Sequence, residues 1–113
     1  MKKKIFILLT FLSILIPAIA FAGDATTKTT FKVWGNCEKC KKRIEKAAKT
    51  DGVKTAVWDV DKKIMTVSFI PSKITVDQIE QNIAKIGYDT EKYKGDEAAY
   101  NKLPQCCQYD RKK

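Results

Sequence analysis

The residues of this chain best able to do chemistry are four cysteines, Cys37, Cys40, Cys106 and Cys107, in a sequence without histidine. The absence of imidazole removes histidine metal sites, Ser–His and Cys–His nucleophile pairs, and the commonest general base. What chemistry remains rests on sulfur. Cys37 and Cys40 stand three positions apart in Gly35-Asn36-Cys37-Glu38-Lys39-Cys40. Two cysteines at that spacing, on a turn entering a helix, can aim both sulfurs at one point. The helix N-terminus offers unpaired N–H groups and partial positive charge, which favour thiolate over thiol. Lys39, Lys41, Lys42 and Arg43 add positive charge, and Glu38 offsets part of it. Two thiolates are soft donors that select Cu(I), Zn(II) and similar thiophilic ions over magnesium or calcium. A linear Cu(I) or Hg(II) ion is satisfied by two sulfurs, whereas structural zinc normally takes four ligands. The same C-x-x-C spacing also serves thiol–disulfide oxidoreductases, although Glu38-Lys39 is not the Gly-, Pro- or His-bearing pair typical of those.

Cys106 and Cys107 leave several alternatives open. Adjacent cysteines rarely bond each other, because the intervening peptide strains the ring. They could complete a three- or four-sulfur site with Cys37 and Cys40, bond one of those two, pair with a second molecule, or remain idle.

The elements that must position these residues can be read from periodicity. Phe31 and Val33 alternate with Thr30, Lys32 and Trp34, the pattern of a half-buried strand. Glu38 to Lys49 reads as a helix with an apolar stripe of Cys40, Ile44, Ala47 and Ala48, ended at Asp51-Gly52. Ala56, Trp58 and Val60 mark a second strand, and Met65, Val67 and Phe69 a third from Lys63 to Ile70, joined by a turn at Asp61-Lys62. Thr75 and Gln78 form a capping box before a helix that buries Val76, Ile79, Ile83 and Ile86 and ends at Gly87. Tyr88 to Lys94 is expected to be a fourth strand. The order strand, helix, strand, strand, helix, strand predicts an α+β, ferredoxin-like βαββαβ sandwich, a four-stranded antiparallel sheet with two helices on one face. Gly95 to Lys113 is a tail with a short helix expected over Glu97 to Lys102, and Tyr100, Leu103 and Pro104 are apolar enough to dock it.

The chain of 113 residues suits one domain. Lys2, Lys3 and Lys4 precede an apolar run from Ile5 to Ile16, then Pro17 and small residues ending in Ala20-Phe21-Ala22. This is the pattern of a secretory signal peptide over residues 1–22, with an uncleaved anchor helix as the alternative. Residues 23–28 read as a polar leader. Export would place the protein in an oxidising compartment, the periplasm, where disulfides must be weighed. The formal charge is +9, of which the three N-terminal lysines supply a third. Acidic residues are interspersed with the basic ones and no basic run is interleaved with aromatics, which argues for a solvated surface and against nucleic acid.

Residues 29–94 resemble the heavy-metal-associated domain of copper chaperones, copper-transporting ATPase modules and periplasmic mercury-binding proteins. The resemblance is carried by Cys37-x-x-Cys40 and its helix, Asp51-Gly52-Val53, the strand to Asp59-Val60, Val67-x-Phe69-x-Pro71, and Ile83-x-x-Ile86-Gly87-Tyr88. It implies the ferredoxin-like fold, an exposed bis-thiolate loop, and handover of the ion to a partner bearing the same motif. Tyr88 resembles an aromatic that bacterial members place near the loop. The family usually reads G-M-x-C-x-x-C, whereas here only Asn36 separates Gly35 from Cys37: either one residue is missing or Trp34 and Gly35 stand where glycine and methionine usually do, and the loop is tighter or differently packed. Trp34 is a candidate to pack beneath that loop, or else simply a strand aromatic.

These residues lead to the expectation of an exported, non-enzymatic carrier that binds Cu(I) through Cys37 and Cys40 and passes it on by ligand exchange. Cys106 and Cys107 are possible additional ligands, and Zn(II), Hg(II) and Cd(II) are the other candidate ions. The expected partner is a metal-transporting ATPase or another C-x-x-C carrier, with the chain itself a monomer or a metal-bridged dimer. A thiol–disulfide oxidoreductase and a metal-free interaction module are the competing readings.

Overall fold

The computed structural model describes residues 25–113, so the signal-peptide expectation for 1–22 lies outside the described residues. Three strands, β1 (Thr27–Lys32), β2 (Val53–Asp59) and β3 (Ile64–Phe69), form an antiparallel sheet in the order β1-β3-β2. Helices α1 (Glu38–Ala48) and α2 (Val76–Lys85) pack on it, and α3 (Glu97–Asn101) begins the tail. Among the described residues no helix is long and apolar enough to cross a membrane.

Alternation sets which face is buried. Phe31, Val33, Trp58, Met65, Val67 and Phe69 meet Ile44 of α1 and Ile79 and Ile83 of α2 in one core. Burying each such large side chain stabilises the fold by about 1.5–3 kcal/mol. The β2–β3 connection is held by Asp59, whose Oδ1 accepts the N–H groups of Asp61 and Lys62. The capping box expected at α2 is present, with Thr75 and Gln78 each accepting the other's backbone N–H. β1 starts at Thr27, so Thr27 and Lys28, grouped with the leader on polarity, pair with Phe69 and Ser68. Their pairing is a backbone matter that side-chain burial does not signal.

The fourth strand expected from Tyr88 to Lys94 is reduced to a single bridge between Val33 and Thr90. Two backbone hydrogen bonds flank that bridge, Trp34 N–H to Asp89 and Glu91 N–H to Lys32. The chain then turns, because the Thr90 hydroxyl accepts the Tyr93 N–H and the Thr90 N–H donates to the Tyr93 carbonyl. Glu80 of α2, itself buried, accepts the Lys92 N–H and pins the turn from the other side.

The tail docks onto the domain. The Asp89 carboxylate has no exposed side-chain surface and is gripped by Arg111, with Nη2 to Oδ1 at 2.7 Å and Nε to Oδ2 at 3.0 Å. It also accepts the N–H groups of Gly95 and Lys112. Tyr109 stacks on Tyr88 with ring centroids 5.4 Å apart. The Tyr109 hydroxyl donates to the Gly87 carbonyl and accepts the Asp89 N–H. Gly87 has φ +102°, and a Cβ there would lie 2.7 Å from the backbone nitrogen of Tyr100, so both conformation and tail contact require glycine.

Burial alone would raise the Asp89 carboxyl, but the Arg111 guanidinium and the N–H groups of Lys112 and Gly95 hold it below the ordinary carboxylate range. A depressed folded value means the clamp contributes fully above the unfolded carboxyl value of about 3.9 and is lost as pH falls through the folded one. Replacing Asp89 with Ala should destabilise the docked tail by about 3 kcal/mol, because it strands a largely buried guanidinium. Hydrogen exchange across residues 103–112 should rise sharply in this variant at neutral pH, and in the parent only in strong acid; unchanged protection in the variant would contradict the clamp.

Candidate metal centre

The two cysteines of the motif come together as their spacing predicts, by different means. Cys37 is the N-cap of α1, in extended conformation with φ −142°, and its side chain is half-buried. The backbone N–H of Cys40, and then that of Lys39, face its sulfur and hold its thiol below the ordinary value. Cys40 lies one turn into α1 on its inward stripe with Ile44 and Ala48, and is fully buried. Its Sγ accepts the Asn36 N–H at 3.3 Å. The helix start thus gives one thiol an outlet to solvent and sets the other against the core.

The loop rests on Trp58. A Cβ on Gly35 would lie 3.0 Å from the Trp58 ring, so the chain passes the ring in tight contact. The Trp58 indole N–H donates to the Val33 carbonyl at 3.0 Å, fixing the strand end that leads into the loop. Trp58, not Trp34, is therefore the aromatic under Gly35. Trp34 stands half-buried after β1, with the ammonium groups of Lys32 and Lys112 over its ring at 4.8 and 5.5 Å.

Of the two tail cysteines, the fold brings one to the site. The sulfurs of Cys37, Cys40 and Cys107 all lie within 4.8 Å of one another. Cys107 is fully buried at the end of a single 3-10 turn, Gln105–Cys107. Cys106 is exposed and is not one of the converging three. A peptide bond places successive side chains in different directions, and here the inward one belongs to Cys107. The Cys106 carbonyl instead accepts from the Asn36 amide at 3.4 Å and from the Cys37 thiol at 3.6 Å. All four cysteines are free thiols. Burial, and then the sulfurs of Cys40 and Cys106, push the Cys107 thiol up to about 12.

Tyr88 completes the setting. Its ring is fully buried, its hydroxyl has no hydrogen-bond partner, and the sulfurs of Cys40 and Cys107 bear on it. Burial first, and those sulfurs second, raise its value far above the ordinary phenol range, so the hydroxyl keeps its proton and remains a donor. Sequence reasoning missed Asp89, Arg111 and Tyr109 as the residues that hold the tail. The Tyr100, Leu103, Tyr109 series of apolar side chains was the available signal.

In the reduced, metal-free protein a short pulse of iodoacetamide should modify Cys37 and Cys106 first. Cys107, with its thiol pushed up by burial and no exposed surface, should react at least about tenfold more slowly. Peptide mass mapping reads the order, and a Cys107 as reactive as Cys106 would contradict the docked tail.

The heavy-metal-associated domain family model matches residues 30–89. The copper chaperone CopZ of Staphylococcus epidermidis is 35% identical over 65 residues, covering 56% of this chain and 96% of that one. The copper-exporting P-type ATPase of Staphylococcus saprophyticus is 41% identical over 56 residues, 49% of this chain but 7% of the ATPase, so the likeness is to one small segment of that enzyme. Among solved structures, oxidized MerP from Ralstonia metallidurans CH34 superposes with a TM-score of 0.55 at 28% identity, covering 59% of this chain and 96% of that one. The chain is thus similar to a copper chaperone, to a segment of a copper-exporting ATPase and to MerP, and its clustered thiols fit a metal site. The chain belongs to the heavy-metal-associated domain family.

Proposed function

We propose that this protein is an exported carrier of Cu(I), which it holds through Cys37 and Cys40 and hands to a partner by thiolate exchange. The observation that carries the reading is the pairing of those two sulfurs at the open N-terminus of α1, one half-exposed and one buried. Two soft donors at that point suit a monovalent thiophilic ion and offer too few ligands for structural zinc. The copper chaperones and the copper-exporting ATPase segment among its relatives support Cu(I) as the cargo and a transporting ATPase or another C-x-x-C carrier as the partner. The likeness to MerP keeps Hg(II) as an alternative cargo. Export rests on the basic, apolar and small-residue succession of residues 2–22.

Cys37 is the residue through which exchange would begin. An incoming thiolate meets the ion on the half-exposed side, a three-coordinate intermediate forms, and the resident Cys37 sulfur leaves before that of buried Cys40. No electrons move, and the copper stays Cu(I) throughout. Lys39, Lys42 and Arg43 beside the loop would speed encounter with an acidic partner more than they would tighten the complex.

Native mass spectrometry of the reduced protein titrated with Cu(I) should show one bound copper. Changing Cys37 and Cys40 together to Ser should abolish it. Stoichiometric copper retained by that double variant would remove the site assignment. Absence of metal uptake by the reduced parent, together with turnover of a disulfide substrate, would replace the carrier with an oxidoreductase.

A further inference from the structure

The family motif accounts for two of the three converging sulfurs and leaves Cys107 without a role. A buried free cysteine is often only a small apolar filler. Cys107 differs from a filler in what it faces. Its sulfur shares a triangle with Cys37 and Cys40 in which all three lie within 4.8 Å of one another. With metal–sulfur bonds of about 2.3 Å, three sulfurs around one ion in a plane stand about 4 Å apart. The triangle therefore needs only a small contraction to close on an ion.

We propose that Cys107 is a metal ligand, supplied by the docked tail, and that it turns the two-thiolate loop into a three-thiolate centre for a trigonally coordinated Cu(I) ion. The proposal rests on the reading of Cys37 and Cys40 as copper ligands and extends it.

Two further observations carry it. The first is the rigidity of the delivery. Leu103 before Cys107 and Tyr109 after it are both buried in the core, so the ligand is held on either side. The Tyr109 hydroxyl joins Gly87 and Asp89, the Tyr100 hydroxyl donates to the Tyr109 carbonyl at 2.7 Å, and Arg111 and Lys112 close on Asp89. The ordering of a ligand 67 residues from Cys40 in sequence is already done by the fold, which is the condition for a tight site. The second is the orphan hydroxyl of Tyr88. A buried donor without an acceptor is costly, and thiols are poor acceptors. The two sulfurs that bear on it are those of Cys40 and Cys107, and as metal-bound thiolates they become the acceptors it lacks. Such a hydrogen bond to a ligand sulfur is how surrounding groups tune a metal centre.

Binding would proceed with balance of charge and protons. Cu(I) forms bonds to the three sulfurs, each thiol of Cys37, Cys40 and Cys107 releases its proton to solvent as its bond forms, and the resulting centre carries a net charge of −2. The ion is neither oxidised nor reduced. A closed four-sulfur site of the structural Zn(II) kind is not formed, because the geometry converges three sulfurs and leaves Cys106 outside. A partner must displace Cys107 as well as Cys37, so the tail sets how readily copper leaves.

X-ray absorption at the copper edge on the full, reduced chain loaded with one Cu(I) reads the sulfur count. Three sulfurs are expected in the parent and in Cys106→Ser, and two in Cys107→Ser. Asp89→Asn, which loosens the tail without touching a sulfur, should also fall toward two. In competition with a chromogenic Cu(I) chelator, Cys107→Ser should bind about tenfold to 100-fold more weakly than the parent. Two sulfurs in the parent with unchanged affinity in Cys107→Ser would overturn the third ligand while leaving the two-cysteine carrier intact. A drop to two sulfurs in Cys106→Ser would also overturn it, assigning the ligand to the neighbouring residue. A parent that takes up no copper would overturn the carrier reading and this one with it.

Discussion

A buried carboxylate must find partners for its charge, and in this protein the partners of Asp89 determine the shape of everything after the second helix. The carboxylate lies just past Gly87-Tyr88, where the chain leaves α2, and it is wholly enclosed. The N–H groups of Gly95 and Lys112 and the Arg111 guanidinium meet its two oxygens. Those bonds draw both ends of an 18-residue stretch to one point, and the stretch between them must then lie against the domain. Cys107 reaches the metal loop as a consequence. An ion pair of this kind contributes little net stability compared with an apolar replacement. Its value here is positional, since no apolar contact would fix Arg111 and Lys112 with the same directionality.

The sheet stops at three strands beside this clamp. Asp89 offers its carbonyl to Trp34 and its carboxylate to the tail. Thr90 makes the bridge to Val33, and the turn closed by Tyr93 follows at once. The tail then covers the ground that a longer edge strand would have left open. A small domain with a modest core gains by this cover, because Leu103, Cys107 and Tyr109 add to the buried set.

Much of the domain could be read from the residues alone, for physical reasons that differ by element. Phe31 and Val33, and Met65, Val67 and Phe69, keep strict alternation because one face of the sheet is core and the other solvent. Thr75 and Gln78 announce α2 through a local exchange of hydrogen bonds that needs no tertiary partner. Cys37 and Cys40 could be brought together from spacing and the helix start. The limits lie where long-range pairing decides. Nothing in the sequence separates Asp89, buried and clamped, from Asp61 on an exposed turn, and Tyr88 to Lys94 carries enough β-forming residues to read as a strand. Which of Cys106 and Cys107 turns inward depends on the 3-10 turn after Pro104 and on the anchoring of Tyr109, both set by contacts with residues far away in the chain.

The central claim is a single soft-metal centre built from the α1 loop and the docked tail together. The most direct measurement is amide NMR of the reduced protein before and after one equivalent of Cu(I). The account predicts shift changes confined to three stretches that meet in space, residues 35–41, 87–89 and 105–109, with the rest of the sheet and α2 undisturbed. Changes limited to 35–41 would contradict the part played by the tail. Changes scattered over the surface, or none, would contradict the centre itself.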